Sequence, residues 1–116
     1  YAARAGTSTA YFWGDSWDAH HNFASTDVKK PVGSHQPNAF GLYDMLGSAW
    51  EWTASSYADY ATGAERQVAS LDASRFRVIR GGSWNGQPRY MRSAHRGNLK
   101  PGYRHDRVGL RLARIP

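Results

Sequence analysis

The sequence predicts a loop-rich sheet protein with little helix, and three observations lead to that expectation. Apolar and basic residues alternate at 76–80 and 107–114, which is the two-residue period of strands. Glycine, proline, asparagine and serine punctuate most of the remainder, and residues 84–106 show no sustained period. The chain has 116 residues, 14% of them aromatic, so we expect a single domain over residues 1–116 with a core of flat side chains.

The first third of the chain is predicted to be mainly structured loop. Residues 1–4 favour helix and are expected to end a helix that stops at Gly6. Residues 7–38 are mostly polar and rich in glycine. Within them, short strands are expected only at residues 10–13 and 31–32.

Residues 39–53 form the segment richest in structural signals. A helical turn is expected first, ended by Gly47, with a strand over residues 49–53 after it. The apolar residues that share one face of that turn are Leu42, Met45 and Leu46.

The second half of the chain is predicted to be two strands and two long connections. Residues 55–74 are polar and are expected to form a surface excursion, after which 76–80 should be a half-exposed strand. Residues 84–106 are expected to be a long loop, a feature that is usually functional in a compact domain. The closing strand 107–114 should place one apolar row on one face, namely Val108, Leu110 and Leu112.

Charge and composition exclude several classes of function. The chain carries 15 Lys and Arg residues against 9 Asp and Glu, a net charge of +6. The arginines are dispersed among glycines, serines and aromatic residues, which favours the bracing of loop carbonyls over binding of nucleic acid. No apolar run approaches the ~20 residues that span a bilayer. The absence of cysteine excludes disulfides and thiolate chemistry and leaves the compartment open.

A series of short motifs occurs in a fixed order along the whole chain: YAAR at 1–4, YFWGD at 11–15, PVG at 31–33, PNAFGLYDMLG at 37–47, WEWT at 50–53, RVIRGGSW at 77–84, RSA at 92–94 and GLR at 109–111. In this order they resemble the formylglycine-generating enzyme family, also called the sulfatase-modifying-factor domain. The resemblance implies an α+β fold of the C-type-lectin-like kind, rich in loops, with short antiparallel strands and little helix. Because members carry a further stretch of the same domain before the YAAR motif, it also implies that residues 1–116 are the C-terminal portion of such a domain and that the N-terminal half is a partner.

Two carboxylates, Asp44 and Glu51, flank a glycine turn and offer the oxygen ligands that calcium prefers. The resemblance implies a structural calcium held by these two side chains and by the carbonyls of Gly47 and Ala49. The residues alone also allow both carboxylates to cap turns or to pair with arginines. The resemblance implies a second calcium site, formed by Asn22, Phe23, Asp27 and the carbonyl of Lys29.

The catalytic members of the family bind copper(I) through two cysteines in the segment after the GGSW motif. The corresponding positions here are Gly86 and Met91. Glycine offers no ligand, and one thioether cannot replace a pair of thiolates. Copper and the thiol oxidase reaction are therefore excluded, and no catalytic residue is predicted.

Loss of the reaction with retention of the scaffold favours a non-catalytic module that recognises a protein, a glycan or a small molecule through the loop 84–106. The polar and aromatic residues predicted to form this face are Trp84, Asn85, Gln87, Tyr90, His95, Asn98, Tyr103, His105 and Asp106.

A more specific form of this hypothesis is that the loop is diversified. Variable proteins of diversity-generating retroelements resemble the same domain, and mutation of adenines in asparagine-type codons yields Asn, Gly, Tyr, His, Asp and Ser. Those residue types are frequent between residues 85 and 106, although loops favour several of them in any case.

The alternative belongs to a different class. Cysteine-free enzymes that are similar to this family include ergothioneine-type sulfoxide synthases and pyoverdine-maturation proteins. Such a reaction would need a metal or residues from a missing partner domain.

Overall fold

The computed structural model describes residues 1–21, 28–58 and 75–113. A four-stranded sheet organises these residues, with the strands β1 (Trp50–Ser56), β2 (Arg77–Arg80), β3 (Gly97–Leu99) and β4 (Val108–Gly109) in the order β3-β2-β1-β4. β2 runs antiparallel to β1 and β3, whereas β4 lies parallel to β1. The sheet therefore contains the predicted short antiparallel strands and is mixed, because the β1–β4 pair is parallel.

Helix is scarce, as predicted. The described ranges contain two 3-10 turns, Ala19–His21 and Pro88–Met91, and no α-helix. None of the helices in these ranges is long and apolar enough to span a bilayer. The predicted end of a helix at residues 1–4 is a single turn, in which the N–H of Ala5 donates to the carbonyl of Tyr1 at 3.1 Å. Gly6 ends it with a φ of 93°.

The strand predicted at 76–80 was correct in place but not in burial. β2 is a central strand, and Arg77, Val78 and Ile79 are all buried. The alternation of basic and apolar residues misleads because the guanidinium of Arg77 is satisfied inside the protein. It donates to the carbonyl of Ala54 at 3.3 Å and to the hydroxyl of Ser56 at 3.1 Å.

Three predicted elements are absent from their expected places. Residues 10–13 form only an isolated bridge between Tyr11 and Gly14, and residues 31–32 form no strand, since a turn lies at 32–33. Residues 39–47 are not helical, because the side chain of Asn38 accepts the N–H groups of Phe40 and Leu42 at 3.0 and 3.1 Å. A carboxamide that binds the backbone in this way competes with helical hydrogen bonds.

The C-terminal strand is shorter than predicted. Only Val108–Gly109 pairs with β1, and the apolar row does not continue inward, since Leu110 is 70% exposed and Leu112 86% exposed. Arg114, the last residue of the predicted strand, lies outside the described residues. The predicted loop 84–106 contains the second 3-10 turn and β3.

The core lies beside the sheet and includes this loop. Tyr11, Leu46 and Met91 form a buried cluster, against which Trp13 and Trp17 pack. The ring of Tyr11 stacks on that of Trp13 with centroids 4.9 Å apart. Because Met91 belongs to the loop 84–106, that loop is anchored in the core at one point and can present its other side chains outward.

Candidate functional site

Gly86 and Met91, which the resemblance aligns with the cysteines of catalytic members, are neighbours in space. Met91 is fully buried, and a methyl group built on Gly86 would lie 2.7 Å from its Cε atom. A methyl group on Gly82, whose φ is 77°, would lie 2.8 Å from the same atom. The Met91 side chain therefore fills the space between the two glycines. One enclosed thioether stands where the resemblance assigns a pair of thiolates.

Outward of Met91, the same loop lines an open cavity of about 360 Å³, which we call the loop cavity. Four residues of the predicted face line it, namely Asn85, Gln87, Tyr90 and His95. Sequence reasoning missed Trp50 and Arg107, which complete the wall from β1 and from the segment before β4. The complete lining is Trp50, Ser83, Asn85, Gly86, Gln87, Tyr90, His95, Gly97 and Arg107.

Two of these side chains have distinctive surroundings. The ring centroid of His95 lies 5.8 Å from that of Trp50 and 5.2 Å from that of Tyr90, so three rings form one wall. The Oδ1 atom of Asn85 is buried and accepts no hydrogen bond from any residue that the structure describes. Such an atom is costly unless water or a ligand supplies a donor.

The charge state of His95 follows from its environment. Burial lowers its pKa below the ordinary value, and the positive charges of Arg92, Arg80 and Arg89 lower it further. The imidazole is therefore neutral at neutral pH. The unfolded chain takes up a proton at a higher pH than the folded one, so stability from this residue is complete above about pH 6.5 and falls as the solution becomes more acidic.

His95 also borders a second cavity of about 480 Å³, which we call the arginine cavity. Its lining is Arg4, Ala10, Tyr57, Arg92, Ala94, His95 and Arg96. Arg96 lies over the ring of Tyr57 at 5.2 Å, and its Nη2 donates to the carbonyl of Ala58 at 2.8 Å. Neither cavity has an acidic residue in its lining.

The remaining predicted face residues lie outside the loop cavity. Trp84 lies under two cations, with Lys29 Nζ 5.7 Å and Arg107 Cζ 5.9 Å from its ring. Asp106 pairs with Lys29 at 3.1 Å, and the hydrogen bond from Lys29 holds the pKa of Asp106 below its usual range. His105 Nδ1 contacts the same carboxylate at 2.7 Å. This group thus joins the end of the loop to residue 29.

Two further residues of the predicted face, Tyr103 and Asn98, also lie away from the loop cavity. Tyr103 stacks on His105 in an exposed turn, with centroids 5.9 Å apart. Asn98 is exposed on β3 and is not part of the lining of the loop cavity.

The predicted calcium residues are brought together only in part. Asp44, Ala49 and Glu51 line one cavity of about 480 Å³ with Arg111. Gly47 is not among the lining residues, and its N–H donates to the carbonyl of Gly81 at 2.7 Å. Of the second predicted site, Asn22, Phe23 and Asp27 lie outside the described residues.

The oxygens of this cavity already have partners. Arg111 Nε donates to both carboxylate oxygens of Glu51, at 2.8 and 2.9 Å, and this pairing raises the pKa of Arg111. Arg111 also donates to the carbonyl of Tyr43 at 3.0 Å, while the Asp44 carboxylate accepts the N–H of Gly33 at 2.6 Å. Within the described ranges no three acidic, His or Cys side chains converge. The oxygen atoms of this cavity are of the type that binds calcium, but the ion would have to compete with Arg111 for Glu51.

The chain is similar to a protein family and to several known proteins. The family model described as "Sulfatase-modifying factor enzyme 1-like domain" matches residues 1–116. The chain is 34% identical over 113 residues to "Serine/threonine-protein kinase pkn1" of Chlamydia caviae, which covers 93% of this chain and 18% of the relative. It is 34% identical over 99 residues to "Inactive C-alpha-formylglycine-generating enzyme 2" of Bos taurus, covering 72% of this chain and 29% of the relative.

Among solved structures, "Treponema denticola variable protein 1" superposes with a TM-score of 0.78 at 29% identity, over 95% of this chain and 42% of that one. The chain thus spans less than a third of these curated relatives and under half of this structure. The predicted loop-rich α+β lectin-like fold is confirmed by the small mixed sheet with little helix and by the close superposition on this structure. The chain belongs to the sulfatase-modifying factor enzyme 1-like domain family, and it is a member without cysteine.

Proposed function

We propose that this domain is a non-catalytic recognition module whose binding face is formed by the loop cavity and the adjoining arginine cavity. One observation carries the proposal. The loop that would hold the thiolates has Gly86 and a buried Met91 at those positions, while four of its other side chains line an open cavity, namely Asn85, Gln87, Tyr90 and His95. The cavity combines the rings of Trp50, Tyr90 and His95 with polar side chains that can orient a ligand. A relative whose name calls it inactive is consistent with this use of the fold.

The test compares two tyrosines that differ in position. The full chain is screened against an array of glycans and proteins, and the dissociation constant of each ligand is measured for Tyr90→Ala and Tyr1→Ala. Tyr90 lines the loop cavity, whereas Tyr1 is 95% exposed and belongs to neither cavity. We expect Tyr90→Ala to weaken binding by about tenfold or more, as for a central aromatic contact, and Tyr1→Ala by less than about twofold. A ligand that binds both variants equally would contradict the proposed face.

A finer form of the proposal is that the loop is diversified by a retroelement. Support comes from the residue types at the positions that line the loop cavity, Asn85, Gly86, Tyr90, His95 and Gly97, and from the likeness to a protein whose name calls it variable. We expect a near-identical template copy beside the gene, differing from it mainly at adenines. Sequencing of the genomic neighbourhood tests this, and a neighbourhood without such a copy would contradict it.

We also propose a structural calcium in the cavity that Asp44, Ala49 and Glu51 line. Support comes from the two carboxylates that share this cavity with loop backbone. The ion would be held by oxygen ligands and would link the 43–44 turn to the start of β1, a role that Arg111 fills in its absence.

A further inference from the structure

The binding face is strongly and one-sidedly charged. Between residues 75 and 111 the chain has ten Lys or Arg residues and one acidic residue, Asp106. That single carboxylate lies 3.1 Å from Lys29, 2.7 Å from His105 and 3.9 Å from Arg107. The linings of the two cavities contain four arginines and no acidic residue, so the face is positively charged; these arginines are Arg4, Arg92, Arg96 and Arg107.

Two arginines of the arginine cavity are held in place by loop carbonyls. Arg4 donates to the carbonyl of Thr9 at 2.7 Å, and Arg92 donates through Nε to the carbonyl of Arg89 at 3.1 Å. Since a guanidinium has five donors, one such contact fixes the group and leaves further donors for a ligand. A planar fork that is already oriented is suited to carboxylate and sulfate groups.

Rings alternate with these charges. His95 lies between the two cavities, with Trp50 and Tyr90 on the side of the loop cavity and Tyr57 in the lining of the arginine cavity. Rigid aromatic side chains provide contact area with little loss of conformational entropy. A pyranose ring has a flat apolar face that packs on such rings. Its hydroxyl groups, directly or through water, would supply the donor that Asn85 Oδ1 lacks.

We propose that the two cavities together bind a segment of an acidic polysaccharide, with uronate or sulfate groups on Arg92 and Arg107 and a sugar ring against Tyr90 and His95. This inference rests on the proposed recognition function and names its ligand class. Acidic sugars have anionic groups for the arginines, flat apolar faces for the aromatic rings and hydroxyl donors for Asn85 Oδ1.

The matched variants differ in position and not in charge. Arg92→Gln with Arg107→Gln removes two cations from the cavities, and Lys100→Gln with Arg104→Gln removes two exposed cations outside both. Affinities of the full chain are measured by calorimetry for a heparin-derived octasaccharide, an oligogalacturonate and a neutral dextran oligomer. The first two probes distinguish sulfate from carboxylate.

We expect one or both acidic probes to bind and the dextran oligomer not to bind. The cavity pair should raise the dissociation constant about tenfold or more, and the control pair less than about twofold, because distant exposed charges are screened by salt. If the cavity pair lowers the melting temperature, Arg107→Gln alone supplies the same comparison.

Binding should also depend on pH in a defined direction. The groups facing His95 are Trp50 from β1, Arg80 from β2 and Arg89, Tyr90 and Arg92 from the segment of the second 3-10 turn. A bound anion favours the protonated imidazole, so affinity should rise as the pH falls from about 7.5 to about 5.5, where uronates and sulfates stay ionised. His95→Gln should remove this dependence.

Four outcomes would overturn the inference: failure of both acidic probes to bind, equal losses in the two variant pairs, equal binding of dextran, or tighter binding of a single-stranded oligonucleotide of the same charge. Failure of the proposed function is distinguishable from these. A protein or neutral glycan that binds through Tyr90 would leave the recognition face standing and remove only the acidic ligand. Absence of any ligand for the loop would remove both.

Discussion

Replacement of Met91 by alanine is expected to lower the free energy of unfolding of the full chain by about 2–5 kcal/mol. Met91 is fully buried and is packed in the cluster with Tyr11 and Leu46. Truncation removes the thioether and leaves a cavity whose walls include the main chain near Gly82 and Gly86, which cannot easily collapse into it. Chemical denaturation measures the change, and the matched control is Leu112→Ala. That residue is 86% exposed, so a change within about 0.5 kcal/mol is expected.

A double-mutant cycle tests whether Met91 fills the space beside Gly86. In the wild-type background Gly86→Ala should be destabilising by about 1–3 kcal/mol, because its methyl group would lie 2.7 Å from Met91 Cε. In the Met91→Ala background that obstacle is gone, so the two substitutions should couple favourably by about 0.5–3 kcal/mol. Some loss should persist, since the carbonyl of Ser83 would be 3.1 Å away. Equal effects of Gly86→Ala in both backgrounds would show that Met91 does not fill this space.

The success of the sequence prediction differed between the sheet and its surroundings. β2 was found because its alternating run ends at Gly81, and β1 was found because alternating bulk follows the turn at Gly47. The exposure of β2 was wrong, because the cost of burying Arg77 is offset by hydrogen bonds to Ala54 and Ser56, which lie more than 20 residues earlier. The turn at 39–47 was wrong for the opposite reason, since a short-range contact of Asn38 replaces helical bonding.

In the candidate site, residues of the loop 84–106 were predicted, but contacts from distant parts of the chain were not. Sequence position was enough to assign Gly86 and Met91, yet it could not show that the Met91 side chain closes the space between Gly82 and Gly86. Trp50 and Arg107 were missed because they reach the loop cavity from outside the loop 84–106. The one available signal was that Trp50 lies in the WEWT motif. The partner of Glu51 was missed because Arg111 is 60 residues away in the chain.

The ion pair between Arg111 and Glu51 leads to a second prediction with a large effect. Calcium and Arg111 should compete for the carboxylate of Glu51. In chelator, Arg111→Gln should lower the free energy of unfolding by about 1–2 kcal/mol, through the loss of charge-assisted hydrogen bonds to Glu51 and of the contact to Tyr43. The expected loss of stability is no larger than this because the side chains of Arg111 and Glu51 are partly exposed, at 37% and 23%. Millimolar calcium should restore much of this stability, because an ion that binds only the folded state stabilises it by mass action.

Glu51→Gln separates the two roles of the carboxylate. It should lose a similar amount of stability in chelator, but calcium should not restore it, because an amide is a poor replacement for the ionised ligand. Arg104→Gln, an exposed arginine outside this cavity, controls for net charge and should respond to calcium no more than the wild type does. Thermal unfolding of the four proteins, each in chelator and in calcium, provides the measurement. Equal destabilisation of Arg111→Gln under both conditions would assign Glu51 to the arginine alone and would remove the proposed calcium from this cavity.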